Sequence, residues 1–209
     1  MDKTNLNYDI FIKGNLVDLV IITEEIVEHT NWYNWFNDEE TTLHMQQHYY
    51  PNTKSMQMDF YKKIIKNNKE KIQLGIYHKK DSILCGLVSL NKIDNLNRNA
   101  EISLIIGENK YRKLEVSHEA MKLIINHAFN TINLHKINAG YIETLESWGL
   151  FLRRIFGFSN EGIQKEQVYK NGKYLNIVNL GLTKKQFHAM KKENINEEKS
   201  DGNNLSSYK

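Results

Sequence analysis

The sequence predicts a mixed α/β domain built around one central sheet. Three observations predict it. Apolar, β-branched runs alternate with helix-period segments in the order strand, two or three helices, three strands, helix, strand, helix, two strands. Residues 116–131 carry a long amphipathic period through Ala120, Leu123, Ile124, His127 and Ala128. Near the end, Asn171-Gly172 separates two alternating apolar runs, the strongest short hairpin signal a sequence can give.

Each element has its own justification. Leu16 to Ile22 is apolar and β-branched, which reads as a first strand. Thr23 is an N-cap candidate with Glu24 and Glu25 behind it in a first helical turn. That helix is expected to run through Val27, Trp32 and Trp35 and to stop near Asn37-Asp38, with a second short helix over Glu39 to Gln47. Beyond Pro51, Met56, Phe60, Ile64 and Ile65 recur at helical spacing. Strands follow over Ile72 to Tyr77 and Ile83 to Asn91, with a turn at Lys79-Lys80-Asp81-Ser82. The polar stretch Asp94 to Asn99 punctuates before a strand from Ala100 to Gly107. After the long helix, His135 to Tyr141 reads as a strand and Ser147 to Phe156 as a helix. The closing hairpin pairs Ile163 to Tyr169 with Tyr174 to Leu182. The domain is expected over residues 10–187, with an N-terminal extension at 1–9. The polar, aperiodic tail at 188–209 is expected to be disordered.

Composition narrows the function classes. A chain of 209 residues can bury one sizeable core. The net charge of +3 is too small to argue for nucleic acid, and the lysines are scattered. No apolar run is long enough to span a bilayer, and the start of the chain carries no export signal. The lone Cys85 excludes an internal disulfide framework. A cytoplasmic protein without membrane or nucleic-acid partners is the expectation. His44 and His48 stand four apart, but no third ligand cluster accompanies them, so no metal is expected. Cys85 reads as a small core residue.

Four stretches, in this order and spacing, resemble the GNAT superfamily of N-acyltransferases. They are Trp35-Phe36-Asn37-Asp38; Asn97 to Ile102 leading to Ile106-Gly107; Glu119 to Leu123 through His127-Ala128-Phe129 and Leu134-His135-Lys136; and Gly157-Phe158, Glu161-Gly162 and Asn171 to Tyr174. The resemblance is closest to the branch acetylating ribosomal-protein N-termini, polyamines and nucleotide-linked amino sugars, and covers about residues 10–187. It implies a largely antiparallel mixed sheet of six to seven strands, flanked by about four helices, with parallel strands four and five splayed apart. Acetyl-CoA is the co-substrate it implies, its pantetheine arm lying along Ile105 and Ile106. The loop Arg112, Lys113, Leu114, Glu115, Val116 and Ser117 would then present backbone N–H groups to the diphosphate at a helix N-terminus.

That loop departs from the family pattern. Arg112 fits, whereas Glu115 and Ser117 stand where relatives carry small residues, usually glycines. A carboxylate facing a diphosphate repels it, although the backbone donors survive any change except proline. The tyrosine that relatives place four residues before Gly-Phe is absent: Arg153 stands there, or Leu152 if the count runs forward from His135-Lys136. Tyr141 is the candidate hydroxyl that remains.

Glu101, on the fourth strand, matches a carboxylate that relatives use to take a proton from the amine. The alternative is a solvent-facing or salt-bridged strand glutamate, paired with Arg98 or Lys136. Trp35, Asn37 and Tyr50 are the candidate acceptor residues, with core packing or an ordinary surface turn as the alternatives. The function expected is acetyl transfer from acetyl-CoA to a primary amine of a small molecule, a nucleotide-linked amino sugar being preferred over polyamines and protein N-termini. The alternative is a non-catalytic GNAT-like module that binds a ligand or partner. A different acyl donor and a homodimer are both compatible with the sequence.

Overall fold

The computed structural model describes residues 6–45 and 49–191. The chain divides into two compact units, Met1–Leu134 and His135–Lys209.

In the first unit, β1 (Ile10–Ile12), β2 (Val17–Ile21), β3 (Ile72–His78), β4 (Ile83–Asp94) and β5 (Asn99–Ile106) form an antiparallel sheet in chain order. Residues 84–90 of β4 are buried without interruption, the pattern of a strand covered on both faces. On one face, Val20, Leu84 and Leu87 pack with Ile26 and Val27 of α1 (Glu24–His29) and with Trp32 and Trp35 of α2 (Trp32–Trp35). On the other lies α5 (Leu114–Asn126), burying Val116, Ala120, Met121 and Ile124 against β2, β4 and β5. Between these, α3 (Glu39–Thr42) and α4 (Lys54–Phe60) connect α2 to β3.

Thr23 caps α1 as expected, its Oγ1 accepting from Ile26 N at 3.3 Å. The expected single first helix is two, because Thr30 adopts an extended conformation and its hydroxyl donates to the Ile26 carbonyl at 2.6 Å. The second short helix is shorter than expected, and its anticipated end at Gln47 lies outside the described residues, as does His48. The helical spacing after Pro51 is present, but Met56, Phe60 and Ile64 are partly exposed while Gln57 and Tyr61 are buried. The reason is polar: the Gln57 carboxamide accepts from Asn52 Nδ2 at 2.9 Å and holds that face inward. The long helix begins at Leu114, two residues early, and its end widens into a π turn over His127–Thr131.

In the second unit, β6 (Lys136–Ile142), β8 (Lys173–Thr183) and β7 (Ser159–Lys170) form an antiparallel sheet in that spatial order. The turn Lys170–Lys173 has Asn171 at φ 50° and Gly172 at φ 80°, the left-handed pair that a two-residue hairpin requires. Helix α6 (Glu146–Phe156) ends on Gly157 at φ 75°. A further helix, α7, covers 184–191, past the point where the domain was expected to end. The rest of the tail, where disorder was expected, lies outside the described residues. The described strands number eight, one more than the six to seven expected, the addition being the short β1. Its three residues give no sequence signal of their own and are held by pairing with β2. The expected strands four and five are β5 and β6, one in each unit.

Candidate active site

The segment that leaves β5 is built on Trp35. Gly107 and Glu108 both donate to the Cys85 carbonyl, at 3.0 and 3.1 Å. The Trp35 indole lies so close to Gly107 that a Cβ there would fall within the ring. Its Nε1 donates to Glu108 Oε1 at 2.8 Å, and Trp35 is 2% exposed. Trp35 is therefore a platform beneath the loop. A 3₁₀ turn, Asn109–Tyr111, follows. Tyr111 donates its hydroxyl to Asp81 at 2.7 Å and Lys110 bonds the same carboxylate at 3.3 Å. These bonds, Tyr111 first, hold the Asp81 carboxyl below its ordinary range despite the opposing effect of desolvation.

Arg112 closes the loop onto α3. Its guanidinium donates to Thr41 Oγ1 at 2.6 Å, pairs with Glu40 at 3.0 Å and Asp38 at 3.6 Å, and reaches the Ile106 carbonyl at 3.3 Å. Asp38 also caps α3, accepting from Thr41 N at 2.7 Å. Its carboxyl is held low, chiefly by the Thr41 hydroxyl and amide. The N–H of Arg112 turns inward to Asn109 O at 3.1 Å, and that of Lys113 to Tyr111 O at 2.7 Å.

Helix α5 starts without a side-chain cap. Among the described residues, the N–H groups of Leu114, Glu115 and Val116 donate no hydrogen bond, while Ser117 N donates to Lys113 O at 3.2 Å. Of the six loop residues expected to hold a diphosphate, three keep free backbone donors. The side chains divide similarly. Leu114 and Glu115 are exposed, and Val116 is 1% exposed and belongs to the core. Glu115 forms no ion pair among the described residues, so its carboxylate stands in solvent beside the helix start.

On β5, Ile105 and Ile106 pair with Leu87 and Gly86 of β4. Glu101 lies toward the other end of the strand, opposite Asn91, and its partner is Lys92 at 2.9 Å. The salt bridge considered from sequence is present, but its cation is Lys92 rather than Arg98 or Lys136, the latter pairing with Glu161. Lys92 reaches Glu101 because a bulge interrupts β4 there and places Lys92 at φ 51°. The acceptor candidates Asn37 and Tyr50 differ in their surroundings. Asn37 donates to Asn52 O and accepts from Asn52 N, each at 2.7 Å, which fastens the segment after Pro51 to α2. Tyr50 is 84% exposed.

In the second unit, Tyr141 donates to Glu146 at 2.7 Å and accepts from Arg153 Nη1 at 3.0 Å. Arg153 and Glu146 are themselves an ion pair. Burial, with the Glu146 bond behind it, raises the Tyr141 phenol above its ordinary range. Gly149 lets α6 approach, since any Cβ there would strike the Tyr141 ring. Arg153, standing where a catalytic tyrosine was sought, is the clamp on Tyr141.

A protein-family comparison matches residues 20–144 to the acetyltransferase (GNAT) domain, which is more than half of the chain. The chain belongs to the GNAT acetyltransferase family. Among curated GNAT relatives, the putative ribosomal N-acetyltransferase YdaF of Bacillus subtilis is 28% identical over 120 residues, 57% of this chain and 63% of that protein. The spermidine N(1)-acetyltransferase of Escherichia coli K12 is 28% identical over 109 residues, 52% of this chain and 58% of that one. The chain thus spans about three fifths of the length of the curated relatives it matches. The crystal structure of spermidine N-acetyltransferase from Vibrio cholerae with CoA and spermine superposes with a TM-score of 0.75 at 19% identity, covering 83% of this chain and 99% of that one. That likeness shows the GNAT fold. Among the described residues, no helix is long and apolar enough to cross a membrane, and no cluster of three or more His, Cys, Asp or Glu could hold a metal.

Sequence reasoning missed three groups in this chain. Glu108 anchors the loop to Trp35, and Glu146 joins Arg153 two helical turns away. Glu119 accepts from the N–H groups of Asn15, Leu16 and Val17 at 2.5, 2.7 and 2.9 Å. Only the Glu146–Arg153 spacing on one helix face carried a usable signal.

Proposed function

We propose that this chain transfers an acetyl group from acetyl-CoA to a primary amine of a small molecule. The observation that carries the proposal is the uncapped start of α5, in a GNAT chain, with three N–H donors free at Leu114, Glu115 and Val116. Donors at a helix start, where the macrodipole is positive, suit a diphosphate. Arg112 sits at the same bend, although its guanidinium is engaged by Asp38, Glu40 and Thr41. It steadies the loop, and Lys113 is the exposed cation beside it.

The acceptor amine must lose a proton to attack. Glu101 is the proposed proton acceptor, acting through water in a solvent-open depression. Tyr141 keeps its hydroxyl proton on Glu146, so the proposed route lets the thiolate leave unassisted. Thiols ionise near pH 8.5, far more readily than alcohols, which makes that departure feasible. Polyamines are the acceptors supported by the relatives named for spermidine acetylation; a nucleotide-linked amino sugar is the finer proposal from sequence.

Calorimetry with acetyl-CoA is the direct test. Binding is expected for the wild type and should be tighter for the double variant Glu115→Gly, Ser117→Gly, which removes the carboxylate beside the donors. No heat at high ligand concentration for either protein would end the proposal. The second reading, a non-catalytic module, is favoured by the engaged Tyr141–Arg153–Glu146 cluster. It would be supported by acetyl-CoA binding without CoA release when spermidine is supplied.

A further inference from the structure

Lys71 differs in its surroundings from the exposed lysines of this chain. It immediately precedes β3 and is half-buried, its Nζ bonded to Asn91 Oδ1 and 5.9 Å from the centre of the Phe60 ring. With Asn68, Glu70, Asn91, Lys92 and Glu101 it lines a solvent-open depression of about 410 Å³. The bulge at Lys92 shapes the far wall, and Asn91 is fixed from behind by Ser103 Oγ at 3.0 Å. Lys92, by contrast, is exposed and paired with Glu101. An amine held in a depression large enough for a small acyl group, beside a carboxylate, is placed as a nucleophile.

We propose that Lys71 is an acyl-lysine site, modified by small activated acyl donors such as an acyl phosphate or an acyl thioester. The neutral Nζ attacks the acyl carbonyl carbon; an N–C bond forms and the bond to phosphate or sulfur breaks. The leaving group departs with the electron pair of that bond, and the amine's surplus proton passes to Glu101 or to water. Burial lowers the Lys71 ammonium below its ordinary range, against an opposing pull from Glu101, which supplies more neutral amine than an exposed lysine has. The charged groups facing it are Glu70, Lys92 and Glu101. The reactive lysine stands on the depression alone; only its thioester donor rests on the function proposed above.

The test treats the full-length protein with limiting acetyl phosphate, or separately with acetyl-CoA, and quantifies each acetylated lysine by peptide mass spectrometry. Lys71 should acquire label several-fold faster than exposed lysines such as Lys92, and its labelling rate should level off at a lower pH. Lys71→Arg should abolish that fast fraction and leave slow labelling elsewhere unchanged. Lys71 labelled no faster than Lys92 by acetyl phosphate would overturn the proposal, and this comparison needs no variant to fold. Preference with acetyl phosphate but none with acetyl-CoA supports the lysine and assigns it to acyl phosphates. If calorimetry then also shows no acetyl-CoA binding, the proposed function fails separately.

Discussion

A hydroxyl has one proton to give, and Tyr141 gives its own to Glu146. Removal of a general acid ordinarily slows a reaction by roughly 10²–10⁴-fold. Tyr141→Phe should instead leave acetyl transfer within about threefold of wild type, measured by CoA release. Glu146 and Arg153 would remain paired, so the denaturant midpoint should shift little. His127 makes a different kind of prediction. It packs edge-on to Phe11 at 5.2 Å, and burial lowers its pKa from 6.5. The unfolded chain then binds the extra proton first as pH drops, so stability should be intact above about pH 6.5 and fall as pH descends toward the lowered folded value. His127→Phe should flatten that part of the melting-temperature profile, and a difference curve against wild type isolates it from the other histidines.

At the scale of elements, the loop after β5 depends on close packing. Gly107→Ala should clash with the Trp35 indole and cost about 1–3 kcal/mol in denaturant unfolding, as overpacked cores do. Adding Trp35→Phe should recover part of that loss, because the two residues share one contact. The start of α5 is the complementary case. Its donors belong to the backbone, so the gain from Glu115→Gly with Ser117→Gly should appear in affinity for acetyl-CoA while the helix itself loses stability. Glycine costs about 1 kcal/mol per site relative to alanine in a helix interior, which a melting curve would register.

For the whole molecule, the main strands and the long helix were legible in the sequence because they rest on local periodicity, whereas the short β1, the break between α1 and α2, and α7 were not. The Asn171-Gly172 turn, the Thr23 cap and the period of α5 all appear where residue chemistry dictates. The features that were not legible depend on distant partners. No local rule says that a bulge turns Lys92 onto Glu101, or that Arg112 engages Asp38 and Glu40 around α3. The site was legible in part: the helix start was located, but how its side chains divide between solvent, core and neighbouring loops was not. Residue identity named Arg153 as a departure from the family pattern, and only packing revealed it as a clamp.

The three bonds to Glu119 tie two distant stretches of chain into one stability unit. Glu119 lies one turn beyond Glu115, so whatever steadies the beginning of that helix also steadies its grip on residues 15–17. The amides of Asn15, Leu16 and Val17 therefore serve as remote reporters: their hydrogen–deuterium exchange should slow when a diphosphate-bearing molecule settles on the helix and accelerate in Glu119→Ala.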